Sequence, residues 1–205
     1  MFYFTNATKL HYILIFIFRI HYFCEMQQKI VLIGGPGTGK STILNELIDK
    51  GYHCMPEISR EVTLEAQKKG IDQLFLEDPL LFSNLLLEGR EKQYQEADAS
   101  NENIVFFDRG IPDVHAYLNY SNTAYPDYFI EKSQKYQYQK VFFLPPWQEI
   151  FVSDNERYEN FDMALEISEH LTKTYQELGY EIIQVPFGSV QERTHFILDS
   201  LTSDV

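Results

Sequence analysis

The chain has 205 residues and a mass of 24.2 kDa, enough for one domain or one domain with an appendage. Hydrophobic residues at 44% and charged residues at 23% exclude a disordered or fibrous chain, and 14 Tyr with 16 Phe supply a sizeable core. A net charge of -13 and a pI near 4.8 exclude a generic nucleic-acid binder, which needs a broad basic face, but not a small anion held by backbone N–H groups.

Residues 1–25 differ from the rest. The run Leu10–Phe18 is apolar except for His11 and is broken by Arg19. It is too short for a spanning helix, which needs about 20 apolar residues. It has the length of a signal-peptide core, but Arg19, His21, Tyr22 and Phe23 stand where small residues prepare a cleavage site. The expectation is a domain at residues 26–205, preceded by a weakly ordered extension or an over-long start; a membrane-associating anchor is the other reading. Lys9 and Arg19 against Glu25 leave the extension at +1, so the domain carries -14. Cys24 and Cys54 are too few for a disulfide framework, and a reducing, cytoplasmic setting is expected.

From Met26 onward, short apolar runs alternate with longer amphipathic stretches. Lys29–Ile33 reads as a buried strand and Thr38–Lys50 as a helix closed by Gly51. Tyr52–Met55 is a second strand, followed by helices over Ser59–Lys69 and Pro79–Ala97. Ile104–Phe107 is a strand, with helices over Pro112–Asn119 and Pro126–Lys135. Val141–Leu144 is a strand ended by Pro145-Pro146. A helix over Phe161–Leu178, a strand over Glu181–Val185 and a helix over Val190–Leu201 complete the chain. Strands alternating with helices imply a five-stranded parallel sheet covered on both faces, a three-layer α/β/α domain.

The strongest motif is Gly34-Gly35-Pro36-Gly37-Thr38-Gly39-Lys40-Ser41, a full G-x-x-x-x-G-K-[ST] Walker A loop between a predicted strand and a predicted helix. Glycines let successive N–H groups turn inward toward phosphate oxygens, and the helix start adds the positive end of its dipole. Lys40 suits β- and γ-phosphates and the Ser41 hydroxyl suits Mg²⁺. Gly34–Ser41 is therefore the candidate phosphate loop.

Three further places sit at predicted strand ends, where open α/β sheets hold ligands. Asp108 ends the run IVFFD and is the candidate second Mg²⁺ ligand. Arg109 follows it. An arginine stays protonated and cannot serve as a base, but its fork can hold a phosphate or an acidic substrate; the plainer alternative is a surface Asp–Arg pair. Glu57 leaves the second strand. It either deprotonates or orients a substrate hydroxyl, or merely supports the next helix, and Arg60 lies one turn further on. The charged segment after Pro145-Pro146-Trp147 is a lid candidate carrying Arg157, which either reaches the transferring phosphate or pairs with Asp154 or Glu156. Trp147 either packs against a base or plugs the core. The six histidines show no ligand spacing, and the Tyr-rich stretch Tyr117–Tyr138 is expected to pack helices.

The combination GGPGTGKST, MPEISR, FDRG, PPW…DNERYE, ELGYEIIQVP and QERTHFIL resembles the ATP-binding P-loop family known as the AAA domain. That group is similar to the kinase domain that phosphorylates nicotinamide riboside and to nucleoside and nucleotide kinases. The resemblance covers Met26 to about Leu201 and implies a five-stranded parallel sheet, ATP with Mg²⁺, and a lid. It also implies that Gly34–Thr42 is the nucleotide loop, Asp108 the metal-shell acid, Arg109 the arginine after it, Glu57 the acid after the second strand and Arg157 a lid arginine. The chain departs from ring-forming motors, which place Glu after the strand-end acid and add a helical domain. Three functions follow: a kinase acting on a nucleoside-like acceptor, an ATPase or nucleotide switch, and an ATPase serving a separate partner. GTP stands beside ATP, although no N-K-x-D motif is present. Neither nucleic acid nor stable membrane insertion is expected.

Overall fold

The computed structural model describes residues 27–71, 73–151 and 160–202. The extension and the lid residues 152–159, with Arg157, lie outside the described residues. Five strands, β1 (Gln28–Ile33), β2 (His53–Met55), β3 (Ile104–Asp108), β4 (Lys140–Phe143) and β5 (Ile182–Gln184), form one sheet in the order β2-β3-β1-β4-β5. Every pairing is parallel, with Leu32 of β1 beside Asp108 of β3 on one side and Phe142 of β4 on the other.

Eight helices connect the strands among the described residues: α1 (Lys40–Asp49), α2 (Ser59–Lys68), α3 (Leu74–Glu77), α4 (Pro79–Ala99), α5 (Ile111–Tyr120), α6 (Tyr128–Lys135), α7 (Phe161–Glu177) and α8 (Val190–Thr202). Alternate strand residues face opposite sides, so one sequence run feeds two cores. Ile30, Leu32, Phe106 and Phe142 pack with Ile43, Leu44 and Leu47 of α1 and Ile197 and Leu201 of α8. Val31, Ile33, Val105, Phe107 and Val141 meet Ala97 of α4 and Tyr175 of α7 on the other face. A third cluster, built on Leu86, Leu87, Ile111, Val114, Leu118 and Phe129, ties α4, α5 and α6 together. The three-layer α/β/α architecture is thus present.

The expected elements are found with ends shifted by one or two residues, and α3 is an addition. A four-residue turn such as LFLE cannot complete a hydrophobic period, so periodicity does not announce it. The tyrosines of the Tyr117–Tyr138 stretch do pack: Tyr138 meets Phe107 edge to face and Tyr136 contacts Tyr94. No described helix is long and apolar enough to cross a membrane.

Candidate functional site

The carboxyl ends of β1, β2 and β3 bring the predicted residues to one edge of the sheet. Gly34–Gly39 leaves β1 and curls into α1. Gly37 and Gly39 hold φ of 72° and 85°, a left-handed backbone that costs other residues about 1–2 kcal/mol each. Each glycine also meets a different wall. A Cβ on Gly35 would lie 2.8 Å from the Ala164 carbonyl oxygen of α7, one on Gly37 would lie 2.6 Å from the Phe151 ring, and one on Gly39 would lie 2.9 Å from Arg193 Nη1 of α8.

Lys40 turns back into its own loop. Its Nζ donates to the carbonyls of Gly34 (2.8 Å) and Gly35 (2.9 Å) and lies 3.4 Å from Thr38 Oγ1. Burial, aided by the nearby Arg109 charge, pulls its pKa down to about 7, while Asp108 and Glu57 pull the other way. Pro36 and Gly37 are half-buried, Thr38 is buried, and Ser41 and Thr42 are exposed at the start of α1.

Asp108 ends β3 and is only 5% exposed, and its Oδ1 has no hydrogen-bond partner. Burial raises its pKa, against the opposing pull of Lys40. Arg109 follows with φ 69°, a strained left-handed conformation fixed by its N–H bond to the Leu32 carbonyl (3.1 Å) and by two carboxylates. Its Nε lies 2.5 Å from Glu57 Oε2, its Nη1 lies 3.5 Å from Asp113 Oδ1, and its guanidinium sits over the Tyr117 ring at 5.1 Å.

Glu57 is a junction. Its Oε1 accepts from the N–H groups of Ile58 (3.0 Å) and Ser59 (3.1 Å) at the start of α2, and Arg90 Nη2 approaches at 3.4 Å. Burial alone would raise its pKa, but Arg90 and Arg109, with the Ser59 N–H, outweigh that and hold it at about 2. Glu57 thus supports the next helix and also joins the site. Arg60 lies on the first turn of α2 and is exposed.

Sequence reasoning missed three residues here. Arg90 is a buried cation on α4 that bridges Glu57 and the Gly110 carbonyl (2.7 Å). Asp113 is fully buried and takes hydrogen bonds from the Gly110 N–H (2.9 Å) and the Tyr175 hydroxyl (2.7 Å). Arg193 on α8 donates to the Thr38 carbonyl (3.0 Å). The available signal was a charge on an otherwise buried helix stripe: Leu86, Arg90, Gln93 and Ala97 on α4, and Arg193, Ile197 and Leu201 on α8. Trp147 stacks on Phe187, with centroids 5.0 Å apart, and Phe187 is 54% exposed. Among the described residues no cluster of three or more His, Cys, Asp or Glu can hold a metal alone.

Solved structures with this fold include a deoxyadenosine kinase from M. mycoides with dCMP and dCDP, at 18% identity and TM-score 0.66, covering 86% of this chain and 100% of that one. The NadR protein in complex with NR matches at 19% identity and TM-score 0.66, over 86% of this chain, which spans 51% of NadR. Thymidylate kinase from Candida albicans matches at 16% identity and TM-score 0.64, over 87% of this chain and 92% of that one. No curated protein sequence matches significantly. The family model described as AAA domain matches residues 29–193, from the first strand to the arginine behind the phosphate loop, and the chain belongs to that family of P-loop proteins.

Proposed function

We propose that this chain is a Mg²⁺-dependent phosphotransferase that moves the γ-phosphoryl group of ATP to the hydroxyl of a small, nucleoside-like acceptor. The observation that carries the reading is the Glu57–Arg109 pair beside the phosphate loop. A water-activating motor needs a base after the strand-end acid, and Arg109 is a permanent cation at that position. A cation there suits the charge on a phosphoryl group in transfer. The folds of the deoxyadenosine and thymidylate kinases, and of NadR with NR, support a nucleoside-like acceptor by analogy.

In this reading the backbone of Gly34–Thr42 holds the triphosphate, and Lys40 exchanges the Gly34 and Gly35 carbonyls for phosphate oxygens. Asp108 and Ser41 would hold Mg²⁺. The buried, unpartnered Oδ1 of Asp108 and the hydroxyl of the exposed Ser41 are hard oxygen donors that fit the ion once phosphate oxygens and water complete its shell. Bound there, the ion neutralises phosphate charge. Glu57, kept ionised by its arginines, accepts a hydrogen bond from the acceptor hydroxyl and orients it. As the new oxygen–phosphorus bond forms, the bridging bond to ADP breaks and the hydroxyl proton is released to solvent, because a carboxylate whose pKa is held at about 2 orients the hydroxyl rather than keeping its proton. Arg157 is proposed as a second cation over the transferring group.

The test measures ADP or GDP formed from Mg²⁺·ATP or Mg²⁺·GTP, alone and with a panel of nucleosides, nucleotides and small hydroxyl metabolites. Nucleoside diphosphate that appears only with one acceptor, together with its phosphorylated product, supports the kinase. Turnover that no acceptor changes overturns it in favour of an ATPase or nucleotide switch. Lys40→Ala abolishes nucleotide binding in calorimetry under either outcome.

A further inference from the structure

Four cations are buried among the described residues: Lys29, Lys40, Arg90 and Arg193. Lys29 pairs with Asp98 at 2.6 Å and Arg90 with Glu57, while the nearby charges of Asp108 and Glu57 favour the protonated form of Lys40. Arg193 is 3% exposed and has no carboxylate partner among the described residues. Its Nε makes no hydrogen bond, and burial alone lowers its pKa. A buried guanidinium without a counter-charge is costly, so its position calls for a reason.

The surroundings supply one. Ser189 and Glu192 cap the start of α8 reciprocally: the Ser189 N–H donates to Glu192 Oε2 (2.8 Å), and the Glu192 N–H donates to Ser189 Oγ (3.2 Å). Ile197 and Leu201 anchor the same stripe of α8 in the core beside α1. Arg193 is therefore presented rigidly to the phosphate loop. Its Nη2 holds the Thr38 carbonyl at 3.0 Å, its Nη1 fills the space beside Gly39, and its guanidinium lies 6.0 Å from the Trp147 ring centre. In a planar trans peptide the C=O and the following N–H point in opposite directions. Fixing the Thr38 oxygen toward α8 therefore aims the Gly39 N–H away from α8.

We infer that Arg193 is a positioning residue for polyphosphate: it locks the Thr38–Gly39 peptide so that the Gly39 N–H faces the bound triphosphate, and that anion supplies the counter-charge that no described carboxylate gives it. This rests on the triphosphate-binding reading above. It concerns the polyphosphate tail and is independent of the base and of any acceptor.

Calorimetry with Mg²⁺ and either inorganic tripolyphosphate or ATP tests it on the full chain, comparing wild type with Arg193→Met and Arg193→Lys. Arg193→Met should weaken both ligands by the same factor, tenfold or more. Arg193→Lys, which keeps charge but not the fork, should recover part of that loss. The inference is overturned if Arg193→Met binds tripolyphosphate like wild type, or if it loses ATP but not tripolyphosphate, which would place the effect at the base. Should Arg193→Met fail to fold, Arg193→Lys decides: binding weakened at least threefold supports the inference, and wild-type affinity for tripolyphosphate overturns it. Wild type that binds neither ligand overturns the triphosphate reading and this inference together, whereas binding without phosphoryl transfer leaves the inference standing and removes only the kinase.

Discussion

Glu57 and Arg109 illustrate how one ion pair settles two conformations. Arg109 occupies a left-handed backbone that a non-glycine residue adopts only when its neighbours insist, and its bonds to Leu32, Glu57 and Asp113 supply that insistence. Glu57 in turn starts α2 through its bonds to Ile58 and Ser59. Its pKa is depressed from 4.5 to about 2 in the fold, so its carboxylate contributes stability that is fully present above pH 4.5 and lost as pH falls toward 2. That contribution is on the order of 3 kcal/mol. Glu57→Gln should therefore lower stability at pH 7 and flatten the fall in stability between pH 4.5 and 2, as read by urea unfolding across that range. An unchanged slope would show that the carboxylate is not what the fold holds ionised. At this scale much of the site was legible. Lys40, Asp108, Arg109 and Glu57 each end or follow a recognisable strand or motif. Arg90, Asp113 and Arg193 were not: Arg90 and Arg193 take partners from distant sequence, and Asp113, although it caps its own helix at Gly110, is completed by Tyr175 of α7.

Among the elements, α7 sets the limit on the phosphate loop. Its start is capped by the Asn160 side chain, which accepts from the Met163 N–H (2.9 Å), and Ser168 bonds back to the Ala164 carbonyl (2.7 Å). That carbonyl faces Gly35 closely enough that a methyl group would collide with backbone. Gly35→Ala should therefore displace either the loop or the first turns of α7, costing about 1–3 kcal/mol, as overpacking does. The measurements are the thermal midpoint and nucleotide affinity, and a variant matching wild type in both would contradict the packing. The strands and long helices were legible because their hydrophobic periods are complete. The walls around the loop were not, since no local pattern says that the Phe151 ring covers Gly37 or that Trp147 turns to Phe187.

Across the whole molecule, a hydrogen bond from α7 reaches the turn that carries Arg109. The Tyr175 hydroxyl of α7 donates to Asp113 of α5, 62 positions away, inside a region with no solvent access at Asp113. Tyr138 adds a second strut, its hydroxyl accepting from the Ile111 N–H at 3.1 Å. Tyr175→Phe keeps the ring and removes the donor, leaving Asp113 short of a partner, so a loss of about 1–3 kcal/mol is expected. Chemical denaturation followed by circular dichroism measures it, and a change below about 0.5 kcal/mol would mean that the bond contributes little.

The six residues of the phosphate loop are translated early, yet they lean on Phe151, Ala164 and Arg193, which emerge from the ribosome more than a hundred residues later. A nascent chain stopped after β4 carries the motif without its walls. The walls of the loop are thus completed only when α8 is in place, so on the proposed reading anion capture reports on folding of the whole described domain.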